Sequence, residues 1–584
     1  MKRYMKYIKP YRAAFILAPL CMLTEVLGEI MLPKLMSMII NNGVTQRNMP
    51  YILGIGTVMV VMAAFMALGG IGGAYFSSMA SICFTSDLRQ ELFDKVQDFS
   101  FKNIDQFSTG SLVTRLTNDI QQVQQVTMMG LRMMFRAPGM LIGALIMAFM
   151  INGRLAAVIL AVIPFLTAAI ALILKTAFPR FTVMQKKLDR LNSGIQESLT
   201  NVRVVKSFVR EDFEADKFRD MNRDLKENSL RAMNIVIMTM PVMMLAMNVT
   251  TLAVVWYGGN MIIAGQMLVG DLTAFTTYIV QILMSLMMLS MVLLQSSRAM
   301  ASIRRINEVM DTAIDLSDKD ASRKELLVKE GKVEFRDVTF SYHEEAGKKV
   351  LADISFTAMP GQTVGIIGAT GSGKTTLVQL IPRLYDVSSG CVLVDDVDVR
   401  QYSLKNLREG VGMVLQKNVL FSGTIEENLR WGNEYASEAE IHEAAECAQA
   451  NGFITSFTDG YQMDLGQGGV NVSGGQKQRM CIARALLKKP KILILDDSTS
   501  AVDTATEAKI RRCFATDLKD TTKIIIAQRI GSVEEADQII VLDDGKIVGK
   551  GTHRELLKNC EEYYQIASSQ LSEKELENDM KEVG

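Results

Sequence analysis

Residues 365–376 read Gly365-Ile-Ile-Gly368-Ala-Thr370-Gly371-Ser372-Gly373-Lys374-Thr375-Thr376, followed by the apolar stretch Leu377-Val-Gln-Leu-Ile. Glycines at this spacing let backbone N–H groups close on phosphate oxygens, and the helix that starts here favours their negative charge at its N-terminus. Lys374 is placed to reach the β and γ phosphates of a nucleoside triphosphate, and the Thr375 hydroxyl to ligate magnesium. A second stretch, Lys491-Ile-Leu-Ile-Leu-Asp496-Asp497, carries the complementary carboxylate. Its apolar run, Ile492–Leu495, fits a central parallel strand covered on both faces, and Asp496 at its end is placed to hold the same ion. Together the two stretches describe a P-loop site for ATP and Mg2+ without saying what the site drives.

A third motif, Val472-Ser473-Gly474-Gly475-Gln476-Lys-Gln-Arg, begins twenty residues before Ile492. A Ser-Gly-Gly turn alone is an ordinary helix N-cap. In register with both nucleotide motifs it resembles the signature of the ATP-binding cassette (ABC) transporters, which is Leu-Ser-Gly-Gly-Gln in most members. The resemblance covers about residues 1–570 and points to a half-transporter of the multidrug-exporter type. It implies that Tyr342, at the end of the alternating strand Val333–Tyr342, stacks on adenine. Gly368, Thr370, Gly371, Ser372, Gly373, Lys374, Thr375 and Thr376 would cradle the phosphates. Gln416 in Val414-Leu-Gln-Lys would form the Q-loop and Asp503 in Ser500-Ala-Val-Asp the D-loop, with Thr375, Gln416 and Asp496 around magnesium. Cassettes of this family sandwich two ATP molecules, each between the Walker motifs of one subunit and the signature of the other. Ser473, Gly474, Gly475 and Gln476 are therefore expected to serve a partner's site.

Two positions depart from the family pattern. Asp497 stands where a Glu usually acts as hydrolytic base, and Gln528, in Ile526-Ala-Gln528-Arg529, stands where a His usually touches the γ-phosphate. Losing a methylene withdraws the carboxylate by ~1.5 Å, and a general base must lie within about 2.6–3.2 Å of its proton. Gln can donate a hydrogen bond but cannot become cationic. With Lys374, Thr375 and Asp496 intact, the pattern implies a degenerate site in one half of a heterodimer, hydrolysing slowly. A milder departure, Gly466-Gln467-Gly468-Gly469 in place of Gly-Glu-Arg-Gly, removes both charges before the signature.

The elements that must position these residues fall into two parts. At 584 residues the chain exceeds one ordinary core. Its formal net charge of +0 averages an apolar half and a charged half, and 34 of its 39 methionines lie at or before Met310. Stretches of membrane length predict six spans, about 13–41, 51–80, 128–151, 155–178, 232–259 and 272–298. The short connections hold only Arg47 and Arg154, whereas residues 175–231 hold thirteen Lys or Arg. That asymmetry places both termini and the cassette in the cytosol, in a multi-pass protein of the cell membrane. Residues 1–12 read as an amphipathic element at the surface leading into a retained anchor. The expected fold is multidomain, α and α/β. A transmembrane domain (1–310) of ABC exporter type has six helices with long cytosolic extensions. A linker (311–330), a P-loop cassette (331–570) and a charged tail (571–584) follow. Family exporters carry coupling helices at the tips of such extensions, here expected near Phe107–Thr114 and Asn201–Ser207. Seven scattered cysteines without a Cys-x-x-Cys pair suggest reduced thiols.

Charged residues inside the spans stand out. Glu25 and Glu29 lie i,i+4 on the first span, Arg132 and Arg136 on the third, at overlapping depths by ~1.5 Å per residue. Intramembrane charges usually pair, so a salt-bridge ladder is expected, the rival being a carboxylate that faces a cavity and binds cationic substrate. Methionines cluster at Met128, Met129, Met133 and Met134, at Met238, Met240, Met243, Met244 and Met247, and at Met284, Met287, Met288 and Met291. Such residues suit a surface for varied apolar ligands, and equally lipid-facing or core packing. The expected activity is ATP-driven export of an amphipathic small molecule or peptide across the bilayer, with a second half-transporter as partner and no nucleic acid. An importer on the same fold, or a nucleotide-gated regulatory or channel-like subunit, is the alternative. Six spans exclude a soluble ABC ATPase.

Overall fold

The computed structural model of the chain describes residues 2–318, 321–342, 349–571 and 576, together with their side chains other than those of 2, 170, 174, 290, 291 and 293–298. The chain forms two compact units, one of Met1–Gln97 with Thr109–Thr312, the other of Asp98–Ser108 with Ala313–Gly584.

Among its described residues the first unit contains six helices long and apolar enough to cross a membrane: Met5–Val44, Met49–Gln97, Thr109–Ile151, Gly153–Thr200, Glu211–Ile263 and Val269–Leu289, the last continuing as helix to Asp311. The second has 49 residues, about 70 Å of helix, so it runs far past a hydrocarbon core of ~30 Å. Apolar side chains such as Val60, Phe65, Leu68 and Ile71 point outward and stay exposed, as lipid contact requires. Small residues let helix backbones close on one another. A Cβ added at Gly73 would meet Met22 Cε at 2.2 Å, and one at Gly69 the Cys21 carbonyl oxygen at 2.9 Å. Among the clustered methionines, Met134, Met238, Met240, Met244 and Met284 are exposed and Met243 is buried, whereas the Met291 side chain lies outside the described residues.

Polar groups inside this unit are partnered across helices. Arg136 bridges both Glu25 and Glu29 at 3.1 Å, while Arg132 enters no ion pair among the described residues. The expected ladder is thus a triad around one guanidinium. Nearby, the Tyr278 hydroxyl donates to the Ile30 carbonyl at 2.8 Å and Gln281 Nε2 to the Glu29 carbonyl at 3.0 Å. At the far ends of the helices, Arg305 pairs with Asp119, Arg115 bonds Glu308 at 2.8 Å, and Tyr4 donates to Asn307 at 2.9 Å.

Among the described residues the second unit has ten strands: β1 (Val333–Phe340), β2 (Leu351–Ala358), β3 (Thr363–Gly368), β4 (Ser389–Val394), β5 (Val397–Asp398), β6 (Val411–Val414), β7 (Ile492–Asp496), β8 (Thr522–Ile526), β9 (Gln538–Asp543) and β10 (Lys546–Gly551). One antiparallel sheet has the order β2-β1-β4-β5 and the other, mainly parallel, the order β10-β9-β3-β8-β7-β6. β7 is buried along its whole length, as its uninterrupted apolar run demands. The segment entering this unit is pinned to it: the backbone N–H groups of Lys329, Glu330, Gly331 and Lys332 all donate to the Asp395 carboxylate.

Two details differ from the sequence reading. Cys447 and Cys513 form a disulfide, leaving five free cysteines. Their approach depends on two helices 66 residues apart in sequence, which no local spacing reveals. The short helix that packs within the cassette unit is Phe101–Gln106, earlier than expected, because Ser100 and Asn103 form a capping box that starts it. The second expected tip is the helix Val202–Ser207. The charged tail, apart from residues 571 and 576, lies outside the described residues.

Candidate nucleotide site

The site forms where parallel strands end, the usual place for a ligand in such sheets. β8 lies between β3 and β7, with Asp496 opposite Ile526 and Ile366 opposite the same residue. That register gathers the loop after β3, the carboxylates ending β7 and Gln528 beyond β8. Thr370, Gly371, Gly373, Lys374, Thr375, Thr376, Gln416, Asp496, Asp497 and Gln528 line one cavity of about 240 Å³.

The loop shape depends on glycine at two points. Gly373, with φ 96°, begins the helix Lys374–Gln379 in the left-handed region. A Cβ at Gly368 would lie 2.0 Å from the Leu542 carbonyl oxygen. Ser372 is buried, and its hydroxyl has no partner among the described residues. Lys374 Nζ donates to the Gly368 and Ala369 carbonyls at 2.8 Å each. The Thr375 hydroxyl donates to Asp496 Oδ1 at 3.0 Å. Asp496 is only 1% exposed, and its Oδ2 is buried without a partner among the described residues. A hydroxyl and a carboxylate with a spare buried oxygen form a hard-oxygen donor set that fits Mg2+, and the glycine loop above the ammonium group fits phosphate.

Burial dominates the electrostatics. It pushes the Asp496 carboxyl up, an effect the Thr375 bond opposes and the neighbouring Asp497 reinforces. It raises Asp497 as well, against the Gln528 bond and the Lys374 charge. It depresses the Lys374 ammonium, opposed by both aspartates. The two departures from the family pattern meet here: Gln528 Nε2 donates to Asp497 Oδ2 at 2.8 Å, and Asp497 sits at φ 50°.

Other residues singled out by sequence lie around this cavity or away from it. Tyr342 reaches the site through a 2.9 Å bond between its hydroxyl and that of Thr376. Ser473 caps the helix Gly474–Leu487 in a reciprocal box with Gln476, and neither they nor Gly474, Gly475 or Asp503 line the cavity. Asp503 instead caps the helix Thr504–Asp517, accepting from Thr506 N–H at 2.9 Å. Gln478, not picked out by sequence, joins the first of these helices to the turn that precedes the second: its Oε1 accepts from Ala501 N–H at 3.0 Å and its Nε2 donates to the Ser500 hydroxyl at 3.3 Å. Tyr385 was missed too. Its ring packs edge-on against Tyr342 with centroids 5.2 Å apart, and its hydroxyl donates to Asp105 at 2.8 Å. Only its place just after the phosphate-loop helix could have drawn notice.

A six-helix transmembrane unit joined to a P-loop cassette with a signature helix defines an ABC half-transporter of exporter fold. Comparisons agree. The family described as ABC transporter transmembrane region matches residues 15–286, and that described as ABC transporter matches 351–500. The chain is 40% identical over 570 residues to the uncharacterized ABC transporter ATP-binding protein YfiB of Bacillus subtilis (strain 168), covering 98% of each chain. It is 31% identical to the ATP-dependent lipid A-core flippase of Syntrophus aciditrophicus (strain SB), covering 98% of this chain and 94% of that one. A solved structure of a bacterial Atm1-family ABC exporter with ATP bound superposes with TM-score 0.80 at 26% identity, over 96% of this chain and 99% of that one. The chain belongs to the ABC transporter family. It is a multi-pass membrane protein with an ABC ATPase domain.

Proposed function

We propose that this chain is one half of a heterodimeric ATP-driven exporter and that its own site binds ATP with Mg2+ but hydrolyses it slowly. The observation that carries this reading is the Gln528–Asp497 hydrogen bond inside a pocket otherwise furnished with Lys374, Thr375 and Asp496. Lys374 and the loop N–H groups would hold the phosphates, Tyr342 the adenine, and Thr375, Asp496 and Gln416 the metal. Bound Mg2+ would neutralise charge on the phosphate oxygens. Asp497 is short for a base and already accepts from Gln528, and Gln528 supplies no cationic donor. Ser473–Gln476 lie outside the chain's own pocket, which supports their service to a partner's ATP. The tip around Val202–Ser207 also supports a second half: Phe208 is 72% and Val209 81% exposed, an apolar surface suited to a partner.

The chain's own ATP then acts by occupancy, holding two cassettes together, while the partner's site fires. Both termini and the cassette lie in the cytosol, by the Lys and Arg excess of residues 175–231, in the cell membrane. The exporter likeness favours outward transport, and the flippase relative favours an amphipathic substrate. The test is to purify the chain alone in lipid nanodiscs and measure ATP binding and phosphate release. Binding with turnover about 10²-fold or more below that of an intact ABC site is expected. Robust hydrolysis by the chain alone overturns the reading.

A further inference from the structure

We propose that Cys447 and Cys513 are a thiol–disulfide modification site, through which low-molecular-weight disulfides switch off the cassette. The bond joins the last residue of the helix Glu438–Cys447 to the helix Thr504–Asp517. The 66-residue segment it closes contains the signature residues Ser473–Gln476, the carboxylates Asp496 and Asp497, and Asp503. A covalent clip there fixes the helix that packs beside the signature helix against the helix that Asp503 caps. The signature helix is tied to the 500–503 turn by exchangeable interactions, among them the hydrogen bonds of Gln478 and the attraction between Arg479 and Asp503. A nucleotide cycle that shifts packed helices past one another would stall when that distance is fixed.

The chemistry favours a switch over a permanent staple. Five other cysteines remain free thiols, Cys481 and Cys560 among them in the core. A chain of seven cysteines with one pair closed is not a disulfide scaffold. Both sulfurs are half-buried and so reachable by a small reagent. Asp517 Oδ2 lies 3.3 Å from Cys513 Sγ, a negative charge that disfavours the approach of an anionic disulfide there and leaves Cys447 as the first nucleophile. The Cys447 thiolate attacks a small disulfide, forming a mixed disulfide and releasing one small thiolate. Cys513 then attacks the Cys447 sulfur, its proton passing to Asp517 and onward, and expels the second small thiolate. The protein's two thiols are oxidised, the reagent is reduced to two thiols, and the two protein protons end on them.

The test uses the full chain in lipid nanodiscs, first reduced and then exposed to oxidised glutathione. Peptide mapping should show a linked Cys447–Cys513 pair. ATP turnover should fall at least threefold and recover with dithiothreitol. Backbone amides of Thr504–Asp517 should exchange about tenfold more slowly in the oxidised protein, a readout independent of turnover. Cys447→Ser and Cys513→Ser should keep basal turnover and lose both responses. Glutathione held as a mixed disulfide with no linked pair overturns the proposal. So does a linked pair with unchanged turnover, or equal inhibition of the serine variants.

Discussion

Gln528 Nε2 lies 2.8 Å from Asp497 Oδ2, so the two residues that depart from the family pattern are bonded to each other. The pairing makes them a unit, and single reversals should be weak. Asp497 occupies the left-handed region at φ 50°, where Asp is tolerated better than most residues. Asp497→Glu alone lengthens the side chain but leaves Gln528 opposite it, and is expected to raise phosphate release only a few-fold. Asp497→Glu with Gln528→His should raise it by about 10²-fold, the lower end for a restored general base. Additive small gains in the two single variants, measured as steady-state phosphate release, would count against a coupled pair.

Tyr385 gives a separate prediction, because one side chain touches both Tyr342 and the helix Phe101–Gln106. Its hydroxyl bonds Asp105, and its ring lies 6.1 Å from that of Phe101 and 5.2 Å from that of Tyr342. Tyr385→Phe removes one exposed hydrogen bond and should cost about 1 kcal/mol or less in urea unfolding. Tyr385→Ala also removes the aromatic pairs and should cost about 3 kcal/mol. If Tyr385 positions Tyr342 for adenine, the alanine variant should weaken ATP binding several-fold while pyrophosphate binding stays unchanged. Equal weakening of both ligands argues for general loosening instead.

Within the membrane unit, Arg136 holds two carboxylates and Glu25 is one of two partners. Removing the shared cation strands two half-buried acids, so Arg136→Met should cost about 2–3 kcal/mol, below the range for a fully buried pair, and reduce the folded yield. Glu25→Gln leaves the Arg136–Glu29 bridge and should be much milder. Folded yield and thermal midpoint of each variant check the ranking. A Glu25→Gln chain that expresses normally yet loses transport of cations alone would show that the carboxylate meets substrate.

How much of this could be read beforehand follows sequence distance. The phosphate loop and the strand before Asp496 are contiguous, so residue type and order alone place them. The two intramembrane pairs could be expected to meet, since i,i+4 spacing and depth are local quantities. That Arg136 and not Arg132 takes both acids depends on how the third helix is rotated about its axis, which spacing does not fix. The bond between Gln528 and Asp497 needs β7 and β8 to be neighbours in a particular register. Tyr385 with Asp105, 280 residues apart, and Cys447 with Cys513 depend wholly on tertiary packing. Each was visible only as an unremarkable single residue.

The buried, unpartnered Oδ2 of Asp496 leads to a metal-dependence prediction with an unusual sign. In the ligand-free chain this carboxylate is costly, since burial disfavours its charge and Asp497 adds like-charge repulsion. Asp496→Asn keeps the shape and a carbonyl for the Thr375 hydroxyl while removing that charge. The ligand-free variant should therefore melt at or above the parent's midpoint. With ATP and Mg2+ near 100 times the dissociation constant, the parent gains about 2.7 kcal/mol by mass action. For a cassette of this size that is a rise of about 5–10 °C. Chelating the metal with EDTA should remove much of the parent's rise and change the variant's little. Scanning calorimetry of both proteins, with and without EDTA, distinguishes this from a purely structural Asp496. In that case the variant would melt lower without ligand and keep a metal-dependent rise.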